Sequence, residues 1–230
     1  MGETVTFTSN GESVEGYLAV PDNGTGYGVM VVQEWWGLVP QIKRTCDRLA
    51  AEGFVALAPD LYRGDIAEHT EMDKAGELMS TLPPDRAAAD MEGAVDYLRA
   101  LASVQNDRIG VVGYCMGGML AMIIGAKLGN KIGAVVPHYG APLGDNEPDW
   151  SNLTAPVRGH FAENDDFFPP QAVKQLETKL RDMGKDVHLD VYPNTGHAFC
   201  NEENALGTHD ERATAQSWRS TIGFLKNELS

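Results

Sequence analysis

Short apolar runs alternate with helix-period stripes along the chain, and this alternation constrains the fold more than any other feature. Val29-Met30-Val31-Val32 is continuously apolar. Such a run suits a strand buried on both faces, as in a parallel sheet. Val55–Ala58 (stopped by Pro59), Ile109–Tyr114, Gly133–Tyr139, Val157–Ala162 and Val187–Tyr192 also read as strands. Between them, Ile42, Cys46, Leu49 and Ala50 share one helical face. Ala87, Met91, Val95, Leu98 and Ala102 follow Pro83-Pro84, Met119–Ala126 is an apolar helix, Val173, Leu176, Leu180 and Met183 form a stripe, and Ala215, Trp218, Ile222 and Leu225 mark the last helix. Upstream, Val5 and Phe7 alternate, Asn10-Gly11 turns, and Val14 to Val20 runs out, which predicts a hairpin. Strands alternating with helices give an α/β class: a mostly parallel central sheet with helices on both faces and an N-terminal antiparallel hairpin. No repeat or linker interrupts the pattern, so residues 1–230 are expected to form a single domain. In such sheets the site lies at the carboxyl ends of the strands.

Composition narrows the partners. Acidic residues number 33 against 18 basic, a net charge of −15. A phosphate backbone or an anionic membrane surface needs a basic face, so neither is expected. No run approaches the ~18 apolar residues of a membrane span. The start, MGETVTFTSN, has neither a basic nor an apolar leader segment. Cys46, Cys115 and Cys200 are odd in number and far apart, which suits a reducing cytoplasm without disulfides. A cytoplasmic monomer acting on a small molecule is the expectation.

The strand Ile109–Val112 runs into Gly113-Tyr114-Cys115-Met116-Gly117-Gly118 and then a helix. With serine at its centre this pattern is the nucleophile elbow. Flanking glycines let strand and helix backbones approach, and the helix N-terminus favours a thiolate. A cysteine nucleophile needs a base, and the base an orienting acid. In α/β-hydrolases the order is nucleophile, acid, histidine. Asp165 and Asp166 both follow the strand Val157–Ala162, and spacing does not choose between them. His197 follows Gly196 after the last strand and is the candidate base. His138 precedes Tyr139 near a strand end and is a candidate for lining the site. His160, in mid-strand, reads as a core residue, and His69 and His209 as surface. Two backbone N–H groups are expected to receive the oxyanion: that of Met116, and one from the loop Gln33-Glu34-Trp35-Trp36-Gly37. Trp36 reads either as a site residue or as a core anchor. Glu34, a carboxylate ending an apolar strand, is costly unless partnered.

Together these residues resemble the dienelactone hydrolase family of the α/β-hydrolase fold. The matching motifs are Gln33-Glu34-Trp35-Trp36-Gly37, Pro59-Asp60-Leu61-Tyr62, Gly113 to Gly118, Asp165-Asp166-Phe167-Phe168-Pro169 and Gly196-His197-Ala198-Phe199. The resemblance implies a Cys115–His197–Asp165 triad, with Asp165 favoured over Asp166. It implies that Glu34 holds the resting thiol and helps deprotonate it, that Trp35 supplies the second oxyanion N–H, and that no metal or organic cofactor takes part. Family members open dienelactones. Two arginines of the family's carboxylate pocket have no counterpart: one position is Asn201, and the segment Ile66–Ser80 carries neither arginine nor tyrosine. Arg63 is the nearest remaining cation. His138-Tyr139 stands where the family has two aromatics, and with Phe199 and Trp36 completes the expected pocket.

The expected activity is therefore cysteine-dependent hydrolysis of esters or lactones, with the substrate neutral or weakly anionic. A glutaminase-type amidohydrolase would carry an acid two residues after the histidine, where this chain has Phe199. A binding protein on a hydrolase scaffold would be expected to have lost part of the triad.

Overall fold

The computed structural model describes residues 2–230. Strands β1 (Glu3–Ser9), β2 (Glu12–Ala19), β3 (Tyr27–Val32), β4 (Phe54–Pro59), β5 (Ile109–Tyr114), β6 (Ile132–His138), β7 (Val157–Asn164) and β8 (Val187–Gly196) form one sheet. Its order is β1-β2-β4-β3-β5-β6-β7-β8. β1–β2 and β2–β4 pair antiparallel, and the remaining pairs are parallel. The hairpin turns on Asn10 (φ 47°) and Gly11 (φ 82°), both left-handed as a tight primed turn requires.

Period-2 alternation within the strands divides the core. Along β3, Met30 and Val32 face one apolar layer and Val29 and Val31 the other. Helices α1 (Pro40–Ala51) and α6 (Glu211–Leu229) cover the second face. Helices α3 (Pro84–Ala100), α4 (Met116–Leu128) and α5 (Pro170–Asp182) cover the first. Among the described residues no helix is long and apolar enough to cross a membrane.

Two elements depart from the expected pattern. β8 continues four residues past Tyr192, through Pro193, to Gly196. Pro193 lacks an N–H, and β8 is an edge strand, where that loss is tolerated. Helix α2 (Met72–Thr81) was not expected at all. It buries Ala75 alone, half-buries Leu78, and leaves Met72 and Met79 exposed, so little of it faces the core.

The sheet order also fixes the site. β3 connects to β4 on one side and β5 to β6 on the other, so the chain reverses direction between the adjacent strands β3 and β5. The crevice outside such a switch point is where open α/β sheets bind ligands. The loops Gln33–Gly37 and Cys115–Met116 leave the sheet there.

Candidate active site

Cys115 joins β5 to α4 with φ 54° and ψ −119°. A non-glycine residue in this region costs on the order of 1–3 kcal/mol and persists only when its surroundings enforce it. The enforcement is steric. A Cβ on Gly113 would lie 1.9 Å from the Gly117 carbonyl oxygen, and one on Gly140 would lie 1.9 Å from the Cys115 oxygen. A Cβ on Gly117 would come within 2.3 Å of the Val32 oxygen. The Cys115 N–H donates to the His138 carbonyl at 3.0 Å, which ties the elbow to β6.

His197 lies against this sulfur. Its Nε2 is 3.2 Å from Cys115 Sγ, and its Nδ1 is 2.8 Å from Asp165 Oδ2. The other Asp165 oxygen accepts the N–H groups of Phe167 (2.9 Å) and Phe168 (3.0 Å). Asp165 is buried, whereas its neighbour Asp166 is exposed. The imidazole is held by aromatic rings as well: Phe168 stacks on it and Tyr139 meets it edge-on. Phe167 and Phe168 were absent from the candidate site residues, although they come two and three residues after Asp165 at a strand end.

Glu34 is fully buried and accepts from Tyr139 Oη at 3.2 Å and from Asn201 Nδ2 at 2.6 Å. The resemblance implied that Glu34 holds the thiol; here the thiol faces His197 instead, and Glu34 is engaged by two neutral donors. Burial, the largest influence, raises Glu34 from its ordinary 4.5 to about 7, against the pull of His197, Asn201 and Tyr139. Burial also pushes the Cys115 thiol up, the Glu34 charge adds to the rise, and the Met116 N–H opposes it.

Glu34 therefore leaves a mark on folding. A carboxyl whose folded pKa exceeds its unfolded value binds more protons when folded, so stability falls as pH rises between about 4.5 and 7. At roughly 1.4 kcal/mol per unit the full loss is about 3 kcal/mol. Glu34→Gln is expected to be more stable than wild type in urea unfolding at pH 8 by about 1–3 kcal/mol. The difference shrinks toward pH 4.5, and a difference independent of pH would contradict the buried carboxyl as its cause.

Cys115 and His197 open into a cavity of about 570 Å³. Glu34, Trp35, Trp36, Met116 and Asn201 line it together with Met72, Met79, Met119, Leu143, Phe167, Phe168 and Leu206. Neither lysine nor arginine lines it among the described residues. The expected substrate cation, Arg63, is elsewhere. Its guanidinium makes two bonds to the buried Asp90 carboxylate (3.1 and 2.9 Å) and reaches Glu12 and the Ser13 carbonyl. A buried carboxylate without a partner is costly, and Asp90 takes the arginine.

Three other expected lining residues are displaced by packing. His138 is buried behind the site, stacked on Tyr114, and burial lowers it to about 3. Tyr139 and Phe199 pack against each other beneath His197, and Tyr139 reaches the site through its bond to Glu34. His160 is a core residue, bonded to Tyr192 Oη and Thr221 Oγ1. No group of three or more His, Cys, Asp or Glu side chains among the described residues could hold a metal ion.

The sheet order, the strained strand-to-helix elbow and the strand-end positions of Cys115, Asp165 and His197 define an α/β-hydrolase. The sequence profile described as the dienelactone hydrolase family matches residues 14–229, and the chain belongs to that family. "Protein usf" of Aquifex pyrophilus is 38% identical over 236 residues, covering 100% of both chains. A protein of Aquifex aeolicus (strain VF5) named "Putative carboxymethylenebutenolidase" is 34% identical over 235 residues, again covering 100% of both. A Klebsiella pneumoniae crystal structure described as a "Putative Dienelactone Hydrolase" superposes with a TM-score of 0.84 at 29% identity, covering 98% of each chain.

Proposed function

We propose that this ester and lactone hydrolase works through a cysteine nucleophile on neutral or weakly anionic substrates. One observation carries the reading: the His197 imidazole bridges Cys115 Sγ and Asp165 at the wall of the cavity. The Cys115 proton passes to His197 Nε2, and the thiolate attacks the acyl carbon. The carbonyl electron pair moves onto oxygen, which the N–H groups of Met116 and Trp35 receive. Collapse re-forms the carbonyl and breaks the C–O bond, and the leaving oxygen takes the proton from His197. Neutral His197 then removes a proton from water, hydroxide attacks the thioester, and the thiolate departs. Asp165 keeps Nδ1 as the donor to itself throughout. Glu34 governs the ease of thiol ionisation, because its charge opposes a second anion beside it.

The substrate class follows from the lining. A dienelactone carboxylate would meet Glu34 and no cation among the described lining residues. Purified protein is expected to hydrolyse a neutral aryl acetate with kcat/KM at least ~10-fold above that for a dienelactone, because a charge-assisted hydrogen bond of ~1.5–3 kcal/mol is missing. Iodoacetamide is expected to abolish ester hydrolysis in step with carboxamidomethylation of Cys115, mapped by peptide mass. Activity that is lost with Cys115 unmodified, or that survives its full modification, would refute the cysteine mechanism.

A further inference from the structure

Helix α2 gives the core only Ala75 and the half-buried Leu78, and it carries two further large apolar side chains that stay outside the core. Ala75 is its one buried residue, while Met72 and Met79 remain 38% and 42% exposed. They stand seven residues apart, two helical turns, and so share a face. Both line the cavity that holds Cys115, as do Met116 and Met119 at the start of α4. An apolar surface continuous with a reactive centre marks a binding site rather than an incidental exposure. Methionine is unbranched and adaptable, and it lines surfaces that accept variable apolar partners.

Sheet order says which part of a substrate lies there. His197 follows β8 and Asp165 follows β7, at one side of the sheet. α2 follows β4, which lies on the other side of β3 and β5. If His197 protonates the leaving oxygen, the alcohol group points toward the β7–β8 side. The acyl group then points the opposite way, toward α2. Charge adds a second constraint. Glu68, Glu71, Asp73 and Glu77 lie on or beside α2, against Lys74, which pairs with Glu71 at 3.8 Å. These carboxylates lie outside the cavity lining, and their summed field disfavours an anionic acyl group near α2.

We propose that α2 is an acyl-selecting wall, with Met72 and Met79 binding the uncharged, extended acyl chain of an ester or thioester. The proposal rests on the cysteine-hydrolase reading and names the substrate class for that site. A methylene buried in an apolar environment contributes about 0.8 kcal/mol, at most roughly fourfold per methylene in kcat/KM. The preference therefore grows with chain length until the cavity is filled.

The test compares p-nitrophenyl acetate, butanoate and octanoate as substrates of wild type, Met72→Ser/Met79→Ser and Met72→Leu/Met79→Leu. In wild type, kcat/KM is expected to rise at least tenfold from acetate to octanoate. The serine pair is expected to lower the octanoate-to-acetate ratio at least fivefold, and the leucine pair to preserve it. Thermal melts followed by circular dichroism separate this from misfolding, since both side chains are half-exposed and neither belongs to the core. A flat or falling chain-length series in wild type overturns the proposal, as does a ratio unchanged in the serine pair. A parallel series of acetates with varied alcohols checks orientation: selectivity lost there, with the acyl series intact, would put the wall on the leaving-group side and also overturn it. Ester hydrolysis that survives Cys115→Ala would instead refute the cysteine mechanism beneath it, a result distinct from a flat series on a Cys115-dependent enzyme.

Discussion

Cys115→Ala is expected to lower kcat/KM for small aryl esters by about 10⁴-fold or more, the scale seen when a nucleophile acting within a triad is removed. The change is local. Alanine keeps the Cβ, so the glycine cradle of Gly113, Gly117 and Gly140 and the left-handed backbone at position 115 are unaltered. What disappears is the atom 3.2 Å from His197 Nε2. Residual hydrolysis would come from the cavity and the Met116 and Trp35 N–H groups alone. Activity within tenfold of wild type would show that water, activated directly, does the work, and the thioester route would fall.

The second large effect separates two adjacent carboxylates. Asp165→Asn is expected to reduce kcat/KM by about 10³–10⁴-fold, whereas Asp166→Asn is expected to stay within about twofold. An amide at position 165 can turn its NH₂ toward His197 Nδ1, which favours the tautomer with the proton on the nitrogen facing Cys115. That nitrogen then cannot accept the thiol proton. Asp165 reaches His197 at 2.8 Å and is fixed by two backbone N–H donors, while Asp166 is exposed and absent from the cavity lining. Equal losses in the two variants would contradict this assignment. The pH profile of each variant under kcat/KM conditions distinguishes a lost orienting group from a general loss of folding.

Much of the architecture was legible because burial leaves periodic traces. β3, β4 and β5 are apolar runs, and α1, α3, α5 and α6 carry stripes at helical spacing, while α4 is apolar on nearly every side. α2 carries a weaker trace, Met72, Ala75, Leu78 and Met79 at helical spacing, but only Ala75 is fully buried and acidic residues surround the stripe. The glycine spacing around Cys115 was readable because backbone collision excludes every other residue at those positions. Pairings across long sequence separations were not. Tyr139 and Asn201 meet Glu34 across 105 and 167 residues. Arg63 illustrates the same limit with a missed clue. Asp90 lies on the apolar stripe of α3 between Ala87 and Ala94, and a buried acid there requires a cationic partner. That requirement draws Arg63 to the core edge and away from the substrate. Spacing alone likewise left Asp165 and Asp166 open, because both follow the same strand; the family resemblance favoured Asp165, which is the buried one of the pair and bonds His197.

The thioester itself is the most direct object to measure. Enzyme mixed with an aryl acetate, quenched in acid within the first turnovers and digested, is expected to carry one acetyl group on the peptide containing Cys115. That label should be removed by neutral hydroxylamine and should be absent from Cys115→Ala. An acetyl group on any other residue, or turnover in wild type with Cys115 never acylated, would contradict a cysteine nucleophile in this hydrolase.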